Sequence, residues 1–327
     1  MLLALPITFL QLSSLKAQTS QSAELASANT SLQAGSADAA IAQLTPILKS
    51  DPNNAEAQNL LCRVQYTLQH FDDATEHCEK AVSLNSQNAR YHLWLGRVAG
   101  QRASRASFMS AYGLAKKTRS EFETAVKLDP RDAEALSDLG EFYKEAPGVV
   151  GGGTDKAEAI AKQLDSVEAA RAHALRASID EKNNDPASAE KELKAAFTGA
   201  SHPAYQWMSI ASFYRRQQRW DEMDAAIKSG ETAAAHDRRA AVALFNGGSV
   251  LTKAKRQPEL AIRLYQSYIA SPDKTEEAPA FDAMVRLASL LSQIGDQAGA
   301  QRQRTAALAL AHDYKPALEM KTQNPQH

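Results

Sequence analysis

The 327-residue sequence predicts an all-α fold, a solenoid of about eight antiparallel helix pairs. Three observations predict it. Apolar and small residues recur at helical spacing in segments of ~12–16 residues. Polar, helix-stopping breaks separate the segments: Ser50-Asp51-Pro52-Asn53-Asn54, Asp129-Pro130-Arg131-Asp132, Asn183-Asn184-Asp185-Pro186 and Ser271-Pro272-Asp273. Equivalent positions also return after 34 residues, as Ala40 and Ala74 do, and Pro52 and Ser86 at the ends of successive pairs. Composition agrees with this reading. Alanine is about a fifth of the chain and aromatics only 6%, which suits helices packed through small residues. With 15 glycines and 12 prolines, the tight turns of a sandwich or barrel are scarce. A net charge of −1 gives no global basic field, so nucleic acid is not an expected partner.

The chain opens on MLLALPITFLQLSSL, apolar and uncharged until Lys16. Pro6 and Gln11 break the run, which is too short for a stable span of ~20 residues. It fits the apolar part of a secretory signal over residues 1–17, with Ala17 at the cleavage point. The basic residues that usually precede such a run are missing. Two locations stay open: periplasmic or secreted if the leader is a signal, cytoplasmic if it is an amphipathic leader.

From Ala23 onward helices follow one another. Over Ala133 to Lys144, Leu136, Leu139, Gly140 and Tyr143 form one stripe. The 34-residue period, with two helices per unit, resembles the tetratricopeptide repeat (TPR). On first helices the resemblance rests on Leu95-Gly96, on Leu139-Gly140 with Tyr143, and on Trp207, Ile210-Ala211 and Tyr214. Phe122, Ala125 and Pro130 complete one unit, and Leu287-Ala288, Leu291, Gly295, Ala300 and Ala307 form another near the C-terminus. Two units are degenerate, one around Ala177, Ala189, Leu193 and Ala196, the other around Gly247, Gly248, Ala261 and Tyr265. The resemblance implies a right-handed superhelix over residues 18–316, followed by a disordered tail at 317–327. Within it, residues 55–165, including YHLWLGR and FETAVKLDPRDAEALSDLG, resemble bacterial relatives of the regulator of microtubule dynamics family.

Two insertions interrupt the period. Residues 100–117 (GQRASRASFMSAYGLAKK) lengthen the third unit and read as an extended hairpin, basic and partly apolar. Residues 145–156 carry Gly148 and Gly151-Gly152-Gly153. A phosphate-binding loop would need Lys and Ser or Thr where Thr154-Asp155 stand, so this stretch reads as an interhelix loop whose next helix is capped by Thr154 or Asp155.

No catalytic motif emerges, and no cofactor or metal is expected. The histidines lack H-E-x-x-H spacing, and there is no G-x-S-x-G. Asp221-Glu222 and Glu276-Glu277 are neighbours pointing different ways and read as solubilising surface. Cys62 and Cys78 fall on the two helices of one unit. They are either a disulfide or two buried thiols.

The resemblance implies a concave groove lined by first helices. Its positions map onto Arg63, Arg90, Arg97, Glu134, Glu141 and Lys144, then Tyr205, Met208, Arg215 and Arg216. Asn59 and Arg63 stand where the chaperone-binding class carries a Lys/Asn carboxylate clamp, so that clamp is not reproduced. The expected function is a non-catalytic scaffold that binds a protein or peptide through this groove, in the cell envelope. The alternative is a carrier enclosing an apolar ligand such as a lipid.

Overall fold

A computed structural model describes residues 8–320. Of the expected leader, residues 1–7 lie outside it, and the chain is helical from Thr8. The described residues form eight hairpins of α-helices with no strand. The first four pair α1 (Thr8–Gln33) with α2 (Ala37–Ser50), α3 (Ala55–Thr67) with α4 (Phe71–Leu84), α5 (Ala89–Arg105) with α6 (Phe108–Leu128), and α7 (Ala133–Glu145) with α8 (Thr154–Leu164). The next four pair α9 (Ala169–Lys182) with α10 (Pro186–Ala195), α11 (Pro203–Arg216) with α12 (Trp220–Ala235), α13 (Val242–Ala254) with α14 (Pro258–Ala270), and α15 (Ala280–Gln293) with α16 (Gln297–Leu310). A short α17 (Lys315–Leu318) follows.

Local chemistry sets the boundaries. Asn54, Asn88, Asp132, Asp185 and Asp296 each accept a backbone N–H in the first turn of the next helix. The helices are held together by small residues. A Cβ on Gly96 would lie 2.5 Å from the Phe122 ring of its own hairpin. A Cβ on Gly140 would lie 2.4 Å from Leu175 on the next one. Ala40, Ala74, Ala211 and Ala300 are fully buried, and Leu95, Leu139 and Tyr214 nearly so. Tyr143 and Trp207 are half-buried at the edges of the cores.

The two insertions differ in form. The first is absorbed into α5 and α6, which run to 17 and 21 residues and project beyond the neighbouring hairpins. The second is a tight loop closed on itself. Gly151 N–H donates to the Gly148 carbonyl, Gly152 N–H to Pro147 and Gly153 N–H to Tyr143. Gly151 has φ +94°, and a Cβ on Gly152 would lie 1.8 Å from the Ala146 carbonyl oxygen, so these glycines serve the turn. The expected cap does not form: α8 begins at Thr154, and Gly153 is its N-cap without a side-chain bond. Residue 317, placed in the expected tail, packs on the last hairpin: Ala317 is buried and its carbonyl accepts from Arg304 Nε at 2.7 Å. Residues 321–327 of that tail lie outside the described residues.

The last hairpin returns to the first. α16 packs on α2, and Ala28, Leu32, Leu44 and Leu60 share one core with Phe281, Val285, Ala311 and Tyr314. Gly35, at φ +73°, lies so close to the chain entering α15 that a Cβ would sit 2.3 Å from the Ala280 nitrogen. The end hairpins of a solenoid each leave an apolar face that needs a cap. Here each end caps the other, and the expected open groove becomes a closed ring with an inner wall.

Candidate functional site

The seam of the ring is built from groups that sequence spacing could not bring together. Arg63 on α3 donates from Nε to Glu276 Oε2 at 2.8 Å and from Nη2 to Glu276 Oε1 at 2.6 Å. Gln33 donates to the same carboxylate at 2.9 Å, and Asn29 accepts from Arg63 at 3.1 Å. Arg63 is 2% and Glu276 5% exposed. Two expectations are corrected here. Arg63 is not displayed to a partner, and Glu276 is not solubilising surface. A buried guanidinium needs a paired carboxylate, and the far end of the chain supplies it. Arg90 remains half-exposed, 3.8 Å from Glu276.

Beside the seam, the inner wall holds a cavity of about 470 Å³. Tyr66, Phe71, Trp94, Arg97 and Arg105 line it from the N-terminal side, and Glu277, Asp282, Arg286 and Tyr314 from the C-terminal side. Arg63 and Arg97 both lie over the Trp94 ring, at 5.5 and 4.7 Å from its centre. Arg97 donates to Asp138 at 2.6 Å and to Glu134 at 3.1 Å. Burial pushes the Asp138 carboxyl up even against the Arg97 charge. Burial likewise lifts the phenol of Tyr66, and that of Tyr314, which donates to Asp282 at 2.8 Å. Asp282 also accepts from Arg286 at 2.7 Å. The cavity is therefore aromatic and zwitterionic, with its charges largely matched in pairs.

The other expected groove residues lie apart from this cavity. Lys144 is buried, 2.6 Å from Glu141 and 3.0 Å from Glu145. Tyr205 donates to the Arg239 carbonyl at 3.0 Å. Met208 is core, 2% exposed, which corrects its assignment to the groove. Arg216 is paired with Glu181, and the Arg215 Nε is buried without a hydrogen-bond partner. Sequence reasoning missed Glu276, Glu277, Asp282, Arg286 and Tyr314, which no local pattern marks. It also missed Trp94, although that residue lies inside the YHLWLGR motif.

Cys62 and Cys78 form a disulfide between α3 and α4, with Cα atoms 5.2 Å apart. It joins the core of Trp94, Leu95 and Val98 just behind the cavity wall.

Stacked hairpins in a 34-residue period already define the architecture, and the tetratricopeptide repeat family's model matches residues 31–98. The chain has the fold of a tetratricopeptide-repeat solenoid. Among solved structures it is similar to TTC0263, a thermophilic TPR protein of Thermus thermophilus, at 21% identity over 59% of this chain and 98% of that one, with a TM-score of 0.50. A tetratricopeptide repeat protein from Parabacteroides merdae aligns over 92% of this chain and 100% of its own, at 12% identity and a TM-score of 0.45. MamA aligns over 50% of this chain and 87% of its own, at 24% identity and a TM-score of 0.40. No curated protein matches the sequence. No described helix of this chain is long and apolar enough to cross a membrane.

Proposed function

We propose that this TPR chain is a non-catalytic scaffold of the cell envelope that receives a protein partner at its inner wall. The observation that carries the reading is the cavity beside the seam. Trp94, Tyr66 and Arg105 converge there, and tryptophan, tyrosine and arginine are the side chains that most often dominate binding energy between proteins. The apolar leader and the disulfide support an envelope location, since disulfides persist in oxidising compartments. The carrier reading asks for an apolar lining, and Arg97, Arg105, Glu277, Asp282 and Arg286 do not offer one.

The test is affinity capture from the envelope fraction. Arg90 and Arg105 are the residues to reverse, because Arg97 is locked to Asp138 and its reversal would damage the fold. A partner held by the native chain and lost from R90E/R105E, at unchanged helicity, supports the scaffold. Equal recovery from both removes the inner wall as the binding surface. Fractionation with N-terminal sequencing tests the location.

A further inference from the structure

The α5–α6 hairpin contributes Trp94, Arg97 and Arg105 to the cavity wall, but its tip lines neither the ring nor the cavity and carries the most exposed large apolar side chains described. Phe108 is 86% and Met109 82% exposed, with Tyr112 at 42%. Leaving phenylalanine and methionine in water forgoes burial, so such a tip reads as a contact surface. The charge around it is one-sided. Residues 98–120 contain Arg102, Arg105, Lys116, Lys117 and Arg119 and no acidic residue, in a chain of net charge −1.

Part of that charge is matched by α4, where Arg102 meets Asp72 at 3.1 Å and Lys117 meets Glu79. The charge nearest the tip is not. Arg105 lies over the Phe71 ring and donates to the Gln69 amide, and Lys116 lies over the Tyr112 ring at 5.2 Å. Neither has a carboxylate partner among the described residues.

The order of these groups is informative. Phe108, Tyr112 and Lys116 fall at i, i+4 and i+8 of α6, one stripe running back from the tip. Side chains on a helix lean toward its N-terminus, which here is the tip, so Lys116 leans toward Tyr112. From the tip inward the stripe is apolar, then a phenol, then an ammonium. A bilayer leaflet presents the matching sequence: hydrocarbon, carbonyl interface, anionic phosphate.

We infer that this hairpin tip docks on an anionic lipid surface, with Phe108 and Met109 entering the acyl boundary and Arg105 and Lys116 at the headgroup phosphates. A protein partner fits less well. A stable protein interface takes about 800 Å² per side, whereas this is a convex tip of three apolar side chains, around which lipids can rearrange. Arg105 also lines the cavity, whereas Phe108, Met109 and Lys116 do not, so changing these three tests the tip apart from the inner wall.

The experiment is vesicle co-flotation of the full chain, with phosphatidylglycerol–phosphatidylcholine vesicles and with phosphatidylcholine alone. The expected result is flotation with the anionic vesicles that falls with salt and is weak on phosphatidylcholine. F108S/M109S alters side chains that hold no core, so its fold, checked by circular dichroism, should persist while apparent vesicle affinity falls about tenfold or more. K116E should weaken binding to anionic vesicles alone. As a second readout, F108W should give a blue-shifted tryptophan emission on those vesicles. The proposal is overturned if the native chain stays unbound, if F108S/M109S floats as well as the native chain, or if the tip is captured instead by a protein in the absence of lipid binding.

Discussion

Arg63 and Glu276, 213 residues apart in sequence, meet as a bidentate ion pair that water scarcely reaches. The pair joins the second hairpin to the link before the last, so it spans the closure of the ring. Removing one partner strands a buried charge. Glu276→Ala should therefore cost about 3–5 kcal/mol in urea unfolding. The joint replacement R63M/E276M should be milder than either single change, because no uncompensated charge is left. Small-angle scattering of Glu276→Ala should also show a larger radius, as the seam loosens. Additive single-variant effects with no change in radius would mean that the pair does not hold the ring.

Gly140 occupies the tightest crossing of the fourth hairpin. Its missing side chain makes room for Leu175 of the next hairpin and for Ile160 of its own, at 2.4 and 3.2 Å from an added Cβ. Gly140→Leu should cost roughly 1–3 kcal/mol by overpacking. A mutation at the boundary between units should also reduce cooperativity, seen as a lower urea m-value. An unchanged unfolding curve would show that the boundary can relax.

Hairpins, breaks and the number of pairs were legible because they are local: a stripe such as Leu136, Leu139, Gly140 and Tyr143 needs only its own helix to declare itself. The site was less legible because it depends on closure. Nothing near Glu276 in sequence distinguishes it from the solvent-facing Asp221-Glu222 pair; only the return of α15 to α1 and α3 buries it. Some of the assigned groove positions failed for a related reason. They assume an open concave face, whereas Arg63 and Lys144 are already satisfied by carboxylates within the chain. Met208 was misplaced because first-helix spacing alone does not separate the inner wall from the contact with Gly230 and Gly247.

The third hairpin carries a pH dependence. His92 Nδ1 lies 2.6 Å from Glu121, and its other nitrogen 3.1 Å from the Ser86 carbonyl. The hydrogen bond to Glu121 raises its pKa above the ordinary 6.5, with burial opposing. A raised folded-state pKa means that the imidazolium is stabilised by folding. Its contribution is fully present below about pH 6.5 and is lost as pH rises through the folded value. The native chain should therefore lose this part of its thermal stability as pH rises above about 6.5, and His92→Gln should remove that loss. His312, raised by Asp38 at the seam, titrates in the same sense, so H92Q should flatten the profile without abolishing its slope. Identical profiles for the native chain and H92Q would refute the assignment.

Cys62 and Cys78 are separated by 16 residues, and their disulfide staples α3 to α4 behind Trp94. Closing a loop of that length restricts the unfolded chain, and reduction should cost about 3 kcal/mol. Because α3 also carries Arg63, the loss should be felt at the seam as well as within its own hairpin. Cys62→Ala/Cys78→Ala should unfold at lower urea than the oxidised chain, and reductant should shift the native chain toward the variant while leaving the variant unmoved. Hydrogen exchange should locate the weakening in α3, α4 and the Phe281–Tyr314 region that packs on α3. Protection lost in α3 and α4 alone would show that the ring closes independently of the staple.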